Sequence, residues 1–179
     1  MNEVNDKNFG LLAAYLLPGL LALWSLSGYS PLLQTWLGSD APQSPTIGGF
    51  LYVTLASLAL GLIVSALRWL ILDGIHHRMG VPQPAWDFSR LQRNQAAFEG
   101  IVQNHYRYYQ FYGNSLIALL LAIIANRWLH AALCSHPVLG FCATLALAAL
   151  LFVASRDALG KYYSRTTMLL TESPQTGGA

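Results

Sequence analysis

The stretch from Trp86 to Cys134 constrains the fold more than any other part of the chain. It contains no proline, begins as a mixture of charged and apolar residues, and ends in a run from Tyr108 to Asn126 that carries no charge. The length of that run is close to the about 20 residues that an α-helix needs to cross about 30 Å of hydrocarbon. The stretch therefore predicts one long helix, or two stacked helices, rising from water into a bilayer.

Three more stretches are apolar and free of charge over a comparable length. Together with the first they predict membrane spans at about 9–29, 48–69, 108–130 and 137–157. Only 10% of the residues are charged, whereas soluble domains average about 25%. We therefore predict an all-α, polytopic membrane protein, namely a four-transmembrane-helix bundle with a long amphipathic cytoplasmic helix leading into the third span.

The segment 74–107 is the predicted cytoplasmic loop and helix. Pro82 and Pro84 interrupt whatever precedes them, and Asp87 suits an N-cap, so a helix is expected from near Phe88. Gly100 weakens that helix by about 1 kcal/mol relative to alanine, which would permit a bend there.

The basic residues indicate the orientation in the membrane. Arg127 falls on one side of the predicted spans, and the other basic residues fall on the opposite side: Lys7, Arg68, Arg78, Arg90, Arg93, Arg107, Arg156, Lys161 and Arg165. By the positive-inside rule, both termini and the segment 74–107 should be cytoplasmic, with a bacterial cytoplasmic (inner) membrane as the expected location. Glu3 and Asp6 in the polar leader argue against a cleaved signal peptide. Residues 171–179 are expected to be a disordered tail.

Small and polar residues inside the predicted spans indicate how the helices pack. Residues with small side chains recur at four-residue spacing on the second and fourth spans, which allows another helix to approach closely. Asn114 lies in the third span and should pair with a neighbouring helix, because an unpaired amide in hydrocarbon is costly. The predicted packing residues are Ser57, Gly61, Ser65, Asn114, Gly140, Thr144 and Ala148.

Four charged residues lie at a similar depth, at the cytoplasmic ends of the second and fourth spans. They are Arg68, Asp73, Arg156 and Asp157. We predict cross-helix ion pairs among them, Arg68 with Asp157 in particular.

Aromatic residues are concentrated between His105 and Tyr112, and Tyr162 and Tyr163 follow the fourth span. One interpretation is an aromatic belt at the headgroup level. The other is a surface for a lipid headgroup or a partner protein, with Arg107 and Lys161 as cationic contacts. The predicted contact residues are Phe98, Ile101, Val102, His105, Arg107, Tyr108, Tyr109 and Tyr112.

The sequence contains no pattern typical of a catalytic or metal site. His76, His77 and His105 lack the spacing of a histidine metal motif, so we expect neither metal nor cofactor. Cys134 and Cys142 favour two packed free thiols over a disulfide. A net charge of +2 gives no indication of direct nucleic-acid binding.

Three functions are compatible with these features. The first is a non-enzymatic, oligomeric integral membrane protein that acts as sensor, anchor or effector for a cytoplasmic protein docked on residues 74–107. The alternatives are an oligomeric pore that perturbs the membrane, for example in a bacterial defence system, and a lipid-binding or lipid-modifying membrane enzyme. The last is disfavoured because no nucleophile and base occur at a recognisable spacing. Membrane lipids and further copies of the chain are the other expected partners.

Overall fold

The structure is a computed structural model, and it describes residues 2–37, 47–125 and 137–171. These residues form helices and connecting segments without a strand, which confirms the predicted all-α class for the described part of the chain. The α-helices are α1 (Asn2–Ser27), α2 (Pro31–Leu37), α3 (Ile47–Arg68), α4 (Gly74–Arg78), α5 (Gln95–Ile101), α6 (Arg107–Ile124) and α7 (Pro137–Thr171).

Two π-turns join helices into longer rods. Trp69–Asp73 connects α3 to α4, and Val102–Tyr106 connects α5 to α6. A π-turn closes hydrogen bonds from residue i to residue i+5 and thereby accommodates one extra residue, often at a functional site. The first turn follows directly after Arg68, and the second directly precedes Arg107.

The helix predicted from near Phe88 is interrupted. Residues Phe88–Arg93 form a 3₁₀ turn, with the Asp87 carboxylate accepting the Ser89 backbone N–H at 3.0 Å. Asn94 then leaves the helical region of φ and ψ, with its side-chain amide 3.4 Å from the Leu169 carbonyl oxygen on α7. The break therefore lies at Asn94, where a side-chain contact favours a turn, and the continuous helix begins only at Gln95.

Contacts between helices define an up-down-up-down arrangement. At one end of the molecule Gly10 lies against Arg107, and at the other the Tyr29 hydroxyl donates to the Ala125 carbonyl at 3.4 Å, so α1 and α6 run parallel. Helix α3 packs antiparallel against α1 and also contacts α6, and α7 packs antiparallel on α6. We call the end that contains residues 68–110 and 155–171 the base.

Two glycines allow α1 and α3 to cross in backbone contact. A Cβ atom at Gly19 would lie 1.8 Å from the Ser57 carbonyl oxygen, and one at Gly61 would lie 2.1 Å from the Tyr15 carbonyl oxygen. Just beside this crossing, Ala22 and Val64 pack against Ile117 and Ala118 of α6. The crossing thus places small residues where the three helices meet.

Two helices of the described part are long and apolar enough to cross a membrane. They are Ile47–Arg78 and Val138–Thr171, with mean hydropathies of 2.2 and 2.4, and only 17% and 11% of their most apolar windows are buried. Helix α1 has a shorter apolar stretch, Leu12–Ser27, and most of α6 lies buried between its neighbours. Two of the four predicted membrane spans are therefore supported by helix length and hydropathy.

The predicted boundaries differ from the helix ends in several places, and the helix of the first span, α1, begins at Asn2. The helix of the fourth span continues to Thr171, the helix of the second span continues through the π-turn to Arg78, and α6 ends at Ile124. Residues 126–130, Arg127, Cys134 and the tail beyond Thr171 lie outside the described residues. Cys142 is a free thiol, but it is exposed on α7 rather than packed.

Candidate functional site

A buried ion pair lies where α3 ends. Arg68 is only 3% exposed, and its Nη1 atom lies 3.0 Å from Asp73 Oδ1. On a regular α-helix, residues that face each other are three or four apart, not five. The π-turn Trp69–Asp73 supplies the i to i+5 spacing that brings Asp73 under Arg68. The ion pair therefore depends on the π-turn.

Helix α6 completes the surroundings of this pair. Tyr109 is fully buried, its hydroxyl donates to Asp73 Oδ1, and its ring centroid lies 4.5 Å from the Arg68 guanidinium carbon. That distance is typical of a cation–π contact. Gly113, one turn further along, leaves room for the Arg68 stem, since a Cβ atom there would lie 2.7 Å from Arg68 Cδ.

His76 connects the same region to α7. Its Nε2 atom lies 3.0 Å from Ser155 Oγ, and Ser155 Oγ is 2.9 Å from the Phe152 carbonyl oxygen. The Ser155 hydroxyl lies within hydrogen-bond distance of both groups and therefore links α4 to α7. We refer to Arg68, Asp73, His76, Tyr109 and Ser155 as the buried polar cluster.

The buried polar cluster has the geometry of a structural core. Arg68, His76, Tyr109 and Ser155 are each at most 3% exposed. None of the five residues lines either of the two cavities described below. The arrangement can therefore fix the relative positions of α3, α6 and α7.

A cavity of about 450 Å³ opens between α1 and the rod formed by α5 and α6. Its polar wall contains Gln103, Asn104 and Arg107, and its apolar wall contains Ala13, Leu17 and Phe111. Arg107 Nε and Nη1 are buried and have no hydrogen-bond partner among the described residues. Buried charged donors without partners are costly, so this cavity has an unfilled requirement for an acceptor. We call it the Arg107 cavity.

A second, more open cavity of about 390 Å³ lies beside α7 at the base. Arg156 Nη2 there donates to the Met79 carbonyl at 2.8 Å, and Lys161 Nζ lies 2.6 Å from Asp157 Oδ2. More than half of each side chain in the latter pair is exposed, and exposed pairs contribute only about 0–1 kcal/mol. These charges are already paired within the chain.

Aromatic residues hold the extended segment before Phe88 against the part of α7 that lies at the base. Trp86 packs edge-on against Tyr162 and Tyr163 at 5.6 Å, and its Nε1 donates to Thr167 Oγ1 at 2.9 Å. His77 Nε2 lies 3.1 Å from the Tyr163 hydroxyl. Much of the aromatic surface at the base is therefore used for packing within the chain.

The predicted contact residues differ in exposure and fall into three groups. Tyr108 is 53% exposed, whereas Tyr109 is fully buried and makes only intramolecular contacts. The remaining six are half-buried, because α5, the following π-turn and α6 pack on α7 and α6 also packs on α1. These six are Phe98, Ile101, Val102, His105, Arg107 and Tyr112.

His105, in the second π-turn, lies in an unfavourable environment for a positive charge. Its Nε2 atom is buried without a hydrogen-bond partner among the described residues. Burial lowers the pKa of His105, and the nearby positive charges of Arg165 and Lys161 lower it further, against a weaker opposing effect of Asp157. The neutral imidazole is therefore the favoured form at the base.

The predicted packing residues on α3 and α6 lie at helix contacts. Ser57 and Gly61 face α1, and Ser65 is half-buried. Asn114 is fully buried and donates through Nδ2 to the Ala14 carbonyl on α1 at 2.9 Å.

The predicted packing residues on α7 are less enclosed. Thr144 is buried and donates to the Gly140 carbonyl within its own helix at 2.8 Å, and Gly140 and Ala148 are half-buried.

The predicted cross-helix ion pairs are not those that the described residues form. Arg68 pairs with Asp73 in its own helical rod, Asp157 pairs with Lys161 one turn later on α7, and Arg156 binds a carbonyl oxygen. The reason is local geometry: the π-turn offers Arg68 a nearer carboxylate, and the i, i+4 spacing does the same for Lys161.

Several residues of these sites were not predicted from the sequence. Gly19, Gly113, Gln103 and Asn104 belong to this group. A glycine inside an apolar helix is a signal of close backbone approach, and it would have pointed to Gly19 and Gly113. The polar wall of the Arg107 cavity has no such signal.

Comparisons with protein-family models, with curated proteins and with solved structures gave no match. Among the described residues, no group of three or more His, Cys, Asp or Glu side chains could hold a metal ion.

Proposed function

We propose that this chain is a non-enzymatic integral membrane protein that presents its base to a cytoplasmic protein partner. The observation that carries the proposal is the exposed apolar surface of α3 and α7. On α3 it includes Phe50, Leu51, Leu55, Leu58, Leu62 and Ile63, and on α7 it includes Val138, Leu139, Phe141, Leu145, Leu150 and Val153. Contiguous apolar surface of this extent is typical of contact with lipid or with another protein.

The arrangement of the helices supports a crossing by all four long helices. Because α1 and α6 run opposite to α3 and α7 and lie beside them, four spans would place both ends of the described chain on one side, as the basic residues indicate. Asn114 and Gln110 then donate their side-chain N–H groups to α1, to the Ala14 carbonyl and the Tyr15 hydroxyl, and not into lipid. A bacterial cytoplasmic membrane remains the proposed location.

The base supports a role as a docking surface. Exposed residues of α5 include Gln95, Ala96 and Ala97. Packing supports this surface, because α5 packs on α7 and the Trp86 ring contacts those of Tyr162 and Tyr163. A surface that is already ordered loses little conformational entropy on binding. We propose that the partner contacts this exposed face rather than the half-buried Phe98, Ile101 and Val102.

Self-association is proposed through the apolar faces that the chain itself leaves uncovered. The outer half of α7 carries Gly140 and Ala148 on a partly exposed face, and small residues favour close helix contact in lipid. An oligomeric pore would need a polar stripe facing outward from a span. The exposed faces of the two apolar helices instead carry mainly apolar side chains, so no observation favours the pore.

Alkaline carbonate washing and compartment tags test the membrane proposal. The chain should stay with the membrane in carbonate, and tags at Asp40 and at Gln83 should lie on opposite sides of it. Release of the chain by carbonate, or both tags in the same compartment, would contradict the proposal.

Site-specific photocrosslinking tests the partner proposal. A crosslinker at Ala97, on the exposed face of the base, should give one defined adduct with a cytoplasmic protein. A matched crosslinker at Leu62, on the apolar face of α3, should not give that adduct. The same adduct from both positions, or none from Ala97, would refute docking at the base.

A further inference from the structure

The Arg107 cavity has features that the docking role does not use. It lies at the base, where α6 begins, beside the exposed Tyr108. Its volume of about 450 Å³ falls within the range of about 300–1,000 Å³ that is usual for small-molecule sites. One wall is polar and the other is apolar, so the occupant must itself have a polar and an apolar part.

Arg107 determines the charge of that occupant. Its Nε and Nη1 atoms are buried without a hydrogen-bond partner, and among the side chains that the structure describes no carboxylate forms an ion pair with it. A guanidinium cannot lose its charge in a protein, and its planar donors match the oxygens of phosphate and carboxylate groups. The cavity therefore requires an anion with at least two acceptor oxygens.

The other residues that line the cavity restrict the chemical class of the occupant further. The amides of Gln103 and Asn104 can donate to further oxygens beside the anion. The apolar side chains of Ala13, Leu17 and Phe111 continue from there along α1 and α6, in the direction of the proposed spans. A free anion would leave this wall uncovered, whereas an acyl chain would cover it. Gly10 brings the α1 backbone close enough that a Cβ atom there would lie 3.1 Å from Arg107 Cδ, so α1 packs directly against the Arg107 side chain.

We propose that the Arg107 cavity binds the phosphate of an anionic phospholipid, with the headgroup against Arg107, Gln103 and Asn104 and the start of an acyl chain against Ala13, Leu17 and Phe111. The site rests on the proposed membrane location. It gives the base a dependence on lipid composition, because α1 and the α5–α6 rod both contact the lipid.

The test uses the purified full chain in a neutral detergent. Native mass spectrometry measures retention of added phosphatidylglycerol, of phosphatidylcholine, and of soluble glycerol phosphate. Phosphatidylglycerol should be retained in preference to the other two. Arg107→Gln should weaken its retention about tenfold or more, since a charge-assisted hydrogen bond is lost. Arg78→Gln removes an exposed arginine of α4 and should leave retention unchanged.

A second variant keeps the test decisive if Arg107→Gln fails to fold. Ala13→Leu fills the apolar wall without changing charge and should also abolish retention of phosphatidylglycerol. Equal retention of both lipids, or unchanged retention by either variant, would overturn the proposal. Retention of glycerol phosphate at the level of the lipid would overturn the choice of a lipid. Carbonate resistance of both variants separates a failure of this site from a failure of the membrane proposal.

Discussion

The crossing of α1 and α3 gives the sharpest prediction about stability. In Gly61→Ala the new Cβ atom would lie 2.1 Å from the Tyr15 carbonyl oxygen, although ordinary contacts begin at 3.4 Å. The two helices would have to separate by about 1 Å or more, because a backbone carbonyl cannot rotate away as a side chain can. Overpacking costs up to about 3 kcal/mol, while alanine gains about 0.5–1 kcal/mol over glycine in a helix.

We therefore expect Gly61→Ala to lower the free energy of unfolding by about 2 kcal/mol. Thermal unfolding in detergent micelles measures this as a fall of about 4–8 °C in the midpoint for a chain of this size. Gly160→Ala on α7 is the matched control, because nothing lies within 4 Å of its Cβ position. It should be neutral or slightly stabilising. An equal or higher midpoint for Gly61→Ala would refute the reasoning that the two backbones are in contact.

Two further predictions concern charges at the base. Asp73→Asn should destabilise the chain by about 3–5 kcal/mol, because it leaves Arg68 buried without its carboxylate. The double variant Arg68→Met with Asp73→Leu should recover much of that stability. If Asp73→Asn is as stable as the parent in thermal unfolding, this prediction is wrong. The lowered pKa of His105 means that its folded state favours the neutral ring. Above its unfolded pKa of about 6.5, His105 is neutral in both states and does not lower the free energy of unfolding. As the pH falls through that value toward the lower folded pKa, the unfolded state takes up the proton first and the free energy of unfolding decreases. His105→Gln should reduce the loss in unfolding midpoint between pH 7.5 and pH 5.5, and an unchanged loss would show that His105 is not its source.

The sequence predicted the helical class because charge-free apolar runs leave the backbone few alternatives to a helix. It also predicted that Ser57 and Gly61 lie on a close-packing face and that Asn114 needs a partner, since small residues and lone amides have few other roles in such helices. It did not predict which partner each would meet. The partners depend on which face α1 presents to α3. Gly19 allows close contact at that crossing only because the backbone of Ser57 and Gly61 lies opposite it.

The π-turns explain why the ion-pair partners could not be predicted from the sequence. One inserted residue rotates everything after it, so Asp73 reaches Arg68 at a spacing that an α-helical pattern assigns to different faces. The prediction of Arg68 with Asp157 followed from regular helices and from similar depth in the membrane. In the same way, the helix predicted from near Phe88 did not include the break at Asn94, whose side chain contacts α7.

The proposed arrangement in lipid is tested most directly by the accessibility of spin labels on the reconstituted protein. Labels at Leu62 and Leu145, on the exposed apolar faces of α3 and α7, should collide freely with oxygen and be protected from a water-soluble paramagnetic reagent. A label at Ser164, exposed at the base, should show the reverse. Access of the water-soluble reagent to Leu62 and Leu145 at the level seen for Ser164 would mean that these faces do not meet lipid.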